Sequence, residues 1–226
     1  MNKPAKTRRA SPWQKVRRRR NSQFPEKKEA VLQAAAALFR DRGYDAASLN
    51  DLADILNITK PTVYYYVHSK QQLLLDILKR AQDQILGHLE EVERSNATAY
   101  EKLRTFMIHY ALIMISDYGA CLARFPWRTF DARSRADIQA RIDEADEMLY
   151  RIIAAGEKDK TLSVPDRVVV YHALFGSLNW MAYWTKSSGR HPPQKLAEMQ
   201  VDVLLSGIRG AAAPTKSAKT KAALSA

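Results

Sequence analysis

The chain has 226 residues, 46% of them hydrophobic, a single cysteine and a formal net charge of +12. That length suits one or two domains with a sizeable core. No apolar run approaches the ~18 residues of a membrane span, no apolar segment follows the basic N-terminus as a secretory leader would require, and the lone Cys121 excludes an intrachain disulfide, so a reducing cytoplasm is the expected setting.

The charge is unevenly spread. Residues 1–20 contain Lys3, Lys6, Arg8, Arg9, Lys15, Arg17, Arg18, Arg19 and Arg20 with no acid, and residues 210–226 contain Lys216, Lys219 and Lys221 with no acid. The body from 21 to 209 is therefore neutral. Both ends are poor in large apolar groups and are expected to be disordered arms, spanning 1–24 and 210–226. The expected partner of Arg17, Arg18, Arg19 and Arg20 is a polyanion, most simply DNA phosphates or a minor groove. A solubilising tail is the plainer alternative. A mitochondrial presequence is disfavoured, because Trp13 and Val16 alone make no apolar face.

Nearly every periodic segment reads as helix. Val31, Ala34, Ala35 and Leu38 follow the i, i+3, i+4, i+7 stripe of a helix near 26–42, with Pro25 ahead of it and Gly43 able to take the left-handed position after it. Ser48 and Asp51 form a capping box for a short helix at 49–56, whose apolar residues are Leu49, Leu52, Ala53 and Leu56, and Asn57 is a tolerable left-handed terminator. Thr59 can cap a third helix over 60–67, and Pro61 fits its first turn. Ser69 with Gln72 is a second capping box, opening a long helix lined by Leu74, Ile77, Leu78, Ala81, Ile85, Leu89 and Val92. Further helices are predicted near 99–117, 124–131, 134–156, 165–186 and 193–209. No stretch sustains strand alternation, and no internal repeat is present.

Two short helices joined by about three residues have helix-turn-helix spacing. In the second, "KPTVYYYV", Val63, Tyr66 and Val67 share an inward face. Three successive tyrosines cannot all be buried, because they span some 200° of the helix surface. The outer face therefore carries Lys60, Pro61, Thr62, Tyr64 and Tyr65. Hydroxyls and an ammonium reach phosphates and base edges, and aromatic edges meet thymine methyls.

The stretch "GYDAASLNDLADILNITKPTVYYYVHSKQQLL" resembles the DNA-binding domain of the TetR (tetracycline-repressor) family. The likeness covers about residues 26–80. Val67 replaces the usual Phe and Asn57 the usual Gly of the turn. The resemblance implies an all-α protein: a helix-turn-helix domain at 25–72, with its motif at 48–67, and a helical ligand-binding and dimerisation domain at 73–209. Carried over by position, Ser48 touches a phosphate, Thr59, Lys60, Pro61, Thr62, Tyr64 and Tyr65 face DNA, and Lys70 clamps a phosphate. It also implies a homodimer built from the last two helices, where Gly176 and Ser177 permit close approach.

The middle helices are expected to enclose an effector among Phe106, Tyr110, Met114, Tyr118, Phe125, Trp127, Met148, Ile152, Phe175, Asn179, Trp180 and Tyr183, although aromatic and Met rows at helical spacing also make plain core. Arg124 and Arg128 lie one turn apart and can pair with an anionic effector such as a carboxylate or an acyl-CoA, or else pair with Asp131 or Glu144 or face solvent. No Cys, His and carboxylate cluster has metal spacing, so no cofactor is expected. The sequence thus points to a nucleoid-associated transcriptional regulator, most simply a repressor released from a palindromic operator by a small molecule. The alternatives are an inducer-independent architectural DNA-binding protein of the same fold, and an enzyme, for which the sequence shows no clustered acid-base or nucleophilic groups.

Overall fold

The computed structural model describes residues 24–125, 127, 130–185, 189–208 and 210. Residues 1–23 and 211–226 of the expected arms, with Arg17, Arg18, Arg19 and Arg20, and also Arg128, lie outside the described residues, whereas Phe24, expected in the arm, opens a helix. Among the described residues the regular elements are nine α-helices: α1 Phe24–Arg42, α2 Leu49–Leu56, α3 Lys60–Tyr66, α4 Lys70–Arg94, α5 Ala99–Ile115, α6 Asp117–Arg124, α7 Ala132–Lys158, α8 Arg167–Trp184 and α9 Pro193–Ser206. Chain contacts divide the molecule into two units between Leu78 and Lys79, within α4. No single helix among the described residues is long and apolar enough to cross a membrane.

In the first unit the sequence signals act where they stand. α1 buries Val31, Ala34, Ala35 and Leu38, and Gly43 ends it at φ +82° with its N–H donating to the Phe39 carbonyl at 2.9 Å. At α2 the Ser48 hydroxyl accepts from the Asp51 N–H at 3.2 Å, and the Asp51 carboxylate accepts from the Ser48 N–H at 2.9 Å. The Ser48 hydroxyl, donating to the same carboxylate at 2.6 Å, together with the Ser48 N–H and with Arg42 at 2.8 Å, holds the Asp51 carboxyl below its ordinary pKa. Asn57 closes the helix at φ 56°, ψ 49°, a left-handed geometry that Asn tolerates without a glycine. Ile58 then folds back, its N–H donating to the Ala53 carbonyl at 3.0 Å.

Two expected caps form differently. Thr59 holds the N-cap position of α3, but its hydroxyl pairs with the Thr62 hydroxyl at 2.8 Å and not with a backbone amide. Only half of the second box forms: Ser69 accepts from the Gln72 N–H at 3.0 Å, whereas the Gln72 side chain donates to Asp76 at 2.8 Å.

In the second unit α4 and α7 run parallel at a constant sequence offset. Lys79 pairs with Asp137 at 3.3 Å, Asp83 with Arg141, and Glu93 with Arg151 at 2.8 Å. Between the first two pairs the buried Gln82 amide donates to the Ile138 carbonyl at 3.2 Å. Exposed ion pairs add little stability singly. Here their common offset specifies which turns of the two helices lie side by side.

The predicted helix at 124–131 is a correction. The helix lies earlier, at Asp117–Arg124, and the predicted 99–117 helix stops at Ile115. The cause is Ser116, whose hydroxyl accepts from the Gly119 N–H at 3.2 Å and so starts a new helix, turned 84° from α5. Phe125 ends α6 in extended geometry, φ −94° and ψ 133°, as a residue before proline prefers. α7 starts two residues early because Asp131 caps it, accepting from the Ser134 N–H at 2.9 Å. α5 packs against α6, α7, α8 and α9 and forms the centre of the unit, with Leu103, Phe106, Met107 and Ala111 fully buried.

Candidate nucleic-acid interface

α3 is two-faced as its spacing requires. Val63 and Val67 are 0% and 2% exposed, while Tyr64 and Tyr65 are 45% and 69% exposed. Lys60, Pro61 and His68 are exposed with them, and Thr62 is half-buried. Tyr66, expected in the core, is half-buried instead. Its ring lies among two others, 5.2 Å from Phe24 and 5.1 Å from Tyr65, and burial pushes its hydroxyl above the usual tyrosine range.

Beside the tyrosines runs a groove of about 480 Å³, lined by Ala47, Ser48, Leu49, Asn50, Lys60, Tyr64, His68, Ser69 and Lys70. The sequence-predicted residues Ser48, Lys60, Tyr64 and Lys70 come together there. Thr59, Pro61, Thr62 and Tyr65 do not line the groove but continue along α3. The start of α2 at Leu49 and the start of α4 at Lys70 both border it, so backbone N–H groups and two partial positive dipole ends face the same space. Lys70 is held in place by a 3.2 Å bond to the Asp45 carbonyl, with its ammonium 4.3 Å from the centroid of the Tyr44 ring.

The electrostatics select which cations face outward. Residues 26–70 carry six cations and six carboxylates. Lys28, Arg40 and Arg42 pair with Asp76, Asp41 and Asp51, each at 2.8 Å. Lys60 and Lys70 border the groove. The cleft thus offers two ammonium groups, hydroxyls and helix amides, donors of the kind that an anion accepts from. Sequence reasoning passed over Asn50, His68 and Ser69 as lining residues. His68 was detectable, since it shares a helix face with Pro61 and Tyr64.

The second unit gathers part of the predicted effector set. Phe106, Tyr110 and Phe175 form an aromatic cluster, with Tyr110 and Phe175 edge to face at 5.2 Å. The Tyr110 hydroxyl donates to the Asn179 amide oxygen at 2.6 Å, although Asn179 is otherwise exposed. Met114, Tyr118, Met148 and Ile152 are buried, and Phe125 and Trp127 are half-buried. Two residues extend the cluster beyond the sequence reading. Tyr171 packs on Phe175 at 4.9 Å, and its hydroxyl donates to Asp146 at 2.6 Å. Burial and the Asp146 carboxylate push the hydroxyls of both Tyr110 and Tyr171 well above the usual range, so both are donors at neutral pH.

Trp180 and Tyr183 are 61% and 48% exposed and stack on each other at 4.9 Å, and the Tyr183 hydroxyl donates to the Ala123 carbonyl of α6 at 2.8 Å. The Arg124 guanidinium donates to the Ala182 carbonyl and lies 5.5 Å from the Tyr183 ring, and Asp131 caps α7. Gly176 faces open space, and Ser177 accepts a 2.8 Å bond from Gln200 of α9.

A three-helix unit with two short helices in tandem, the second exposing its polar and aromatic side, defines a helix-turn-helix protein. The chain belongs to the TetR family of bacterial transcriptional regulators. The family description "Bacterial regulatory proteins, tetR family" matches residues 31–77, and "Tetracyclin repressor-like, C-terminal domain" matches residues 96–208. The chain is 22% identical over 197 residues to the HTH-type transcriptional repressor KstR2 of Mycolicibacterium smegmatis, covering 83% of this chain and 93% of that one. It is 22% identical over 188 residues to the fatty acid metabolism regulator protein of Bacillus subtilis, covering 79% and 93%.

Among solved structures it resembles PfmR, a TetR family regulator from Thermus thermophilus, with a TM-score of 0.69, 26% identity and coverage of 78% and 97%. It also resembles AibR in complex with isovaleryl coenzyme A and operator DNA, with a TM-score of 0.68, 26% identity and coverage of 79% and 98%. These relatives are regulators of transcription and not enzymes, and this chain is a DNA-binding regulator of the same kind.

Proposed function

We propose that the chain is a dimeric repressor that reads a palindromic operator through α3 and is released by a small, largely hydrophobic effector, an acyl-CoA or a related anion. The observation that carries the DNA part is the division of α3: valines fully inward, Tyr64 and Tyr65 outward, and Lys60 and Lys70 at a groove between two helix N-termini. Tyr65, Pro61 and Thr62 serve base edges and methyl groups. Ser48, Lys60, Tyr64 and Lys70 serve the backbone, and Thr59 orients Thr62 through their shared hydroxyl bond. Such a protein works in the cytoplasm beside the nucleoid.

Repression and dimerisation rest on further support. KstR2 is named a repressor. α8 leaves Val169, Trp180, Tyr183 and Trp184 exposed on one stripe, and α9 leaves Met199 and Val203 exposed. A large apolar patch of this kind marks an interface, and two half-sites require two reading helices about 34–36 Å apart. Trp180 and Tyr183 thus belong to the subunit contact.

For the effector, AibR was solved with isovaleryl coenzyme A, which favours an acyl-CoA. The cluster of Phe106, Tyr110, Phe175 and Asn179, with Met114, Met148 and Ile152 beside it, supplies apolar walls and phenolic donors for an acyl chain and its carbonyl. Effector binding lowers operator affinity by favouring a different spacing of the reading helices. By linkage the operator weakens the effector by the same factor.

The test is selection of duplexes from a random pool, followed by competition with acyl-CoA esters of graded chain length. A palindrome released by one ester class is the expected result, and a bound palindrome that no ester releases rejects the effector. In the same titrations, a chain without residues 1–20 should show a flatter salt dependence, by about 0.9 in log K per log salt for each phosphate that the arm neutralises, with base preference kept. An unchanged slope removes the arm from the interface.

A further inference from the structure

We propose that Phe24, at the first position of α1, is a positioning residue of the DNA interface that locks the reading tyrosine Tyr65 in one orientation. The proposal rests on the reading that α3 faces DNA. Phe24 meets Tyr65 edge to face, with centroids 5.6 Å apart and planes at 80°. It meets Tyr66 at 5.2 Å and 36°, and Tyr65 meets Tyr66 edge to face at 5.1 Å and 87°. The three rings close a triangle in which each touches the other two.

A tyrosine 69% exposed on a short helix would otherwise sample several rotamers. Two edge-on neighbours select one of them while the residue stays largely exposed. An interface residue already in its bound rotamer loses less conformational entropy on binding. Phe24 itself is 48% exposed, so it fills no core. Among the described residues its ring meets Tyr65 and Tyr66 of the reading helix. Nothing about α1 requires an aromatic residue at its first position. The geometry explains one by what it does for a helix 41 residues further along the chain.

Phe24 thereby acts differently from the cations of the interface. A cation contact strengthens binding to any duplex. A side chain that orients a reading group strengthens binding to the right duplex alone.

The experiment titrates full-length protein with the duplex selected from a random pool and with an unrelated duplex of equal length, at several salt concentrations. Phe24→Ala should weaken the selected duplex about three- to tenfold, the range expected for removing an aromatic pair, and leave the unrelated duplex and the salt slope within about twofold of the parent. Phe24→Tyr, which keeps the ring, should restore the preference. Phe24→Leu, which keeps the apolar volume, should melt as the parent does yet bind as Phe24→Ala does. In a Tyr65→Ala background the Phe24→Ala effect should disappear, since no ring is left to orient.

Equal weakening on both duplexes, or a Phe24 effect that simply adds to that of Tyr65→Ala, overturns the proposal. A parent protein that prefers no duplex strikes instead at the DNA-reading assignment of α3, and the two failures are told apart by the parent's own titration.

Discussion

A double variant, Trp180→Glu with Val203→Glu, is expected to be a folded monomer whose operator affinity is about 100- to 10,000-fold weaker. The two side chains are 61% and 71% exposed, so within a single chain the substitutions remove little beyond the Trp180 stack on Tyr183 and leave the core intact. In a dimer both would bury carboxylates in an apolar contact, which is costly without partners. The weakening on DNA follows from geometry. One reading helix engages one half-site, and the second half-site then contributes nothing through linkage. Sedimentation of the variant with a parallel titration on the selected palindrome checks both halves of the expectation. A variant that stays dimeric places the subunit contact elsewhere, and a monomer with full affinity removes the two-half-site reading.

Gly119→Ala should lower the stability of the second unit by about 1–3 kcal/mol, the cost of overpacking a rigid site. For a chain of this size that is a fall in Tm of roughly 3–10 °C. Gly119 lies just after the 84° turn between α5 and α6. A Cβ there would stand 1.9 Å from the Ile113 carbonyl oxygen and 2.6 Å from the Met114 Cα, and both are backbone atoms of the preceding helix. Neither can step aside as a side chain end would. Gly87→Ala provides the contrast. Gly87 sits within α4 with nothing within 4 Å of the added carbon, so there the helix propensity of Ala should raise stability by up to about 1 kcal/mol. Thermal melts of the two variants should move in opposite directions. A Gly119→Ala protein that melts within about 1 °C of the parent contradicts the close approach of α6 to α5.

The first unit was legible from sequence because its signals are local and stand close together. Ser48 with Asp51, Asn57 after Leu56 and Gly43 after Arg42 each act within four residues, and the ends of α2 follow from them. The inward set of α3 was legible from period alone, apart from Tyr66, whose partial exposure depends on Phe24 at a distance in the chain.

The second unit resisted reading for two physical reasons. Apolar residues run nearly without a break from Phe106 to Ile115 and resume after Ser116, so periodicity could not show a turn set by one serine cap and one glycine contact. In α8 both sides are apolar, one toward the core and the other exposed, and a sequence does not say which aromatic lies on which. The exposure of Trp180 and Tyr183 is not legible in the sequence for that reason. Tyr171 and Asp146 went unnoticed because a carboxylate and a tyrosine 25 residues apart carry no local signature.

The most direct test of the central claim is the affinity of the Tyr64→Ala, Tyr65→Ala double variant for duplex DNA at low ionic strength, measured beside the parent on the selected palindrome and on unrelated sequence. Both rings are exposed, so the variant should melt as the parent does. The expected result is that preference for the palindrome falls at least about tenfold, with weak salt-sensitive binding to any duplex remaining through Lys60, Lys70 and the arm. A folded variant that still selects the palindrome as the parent does would contradict it.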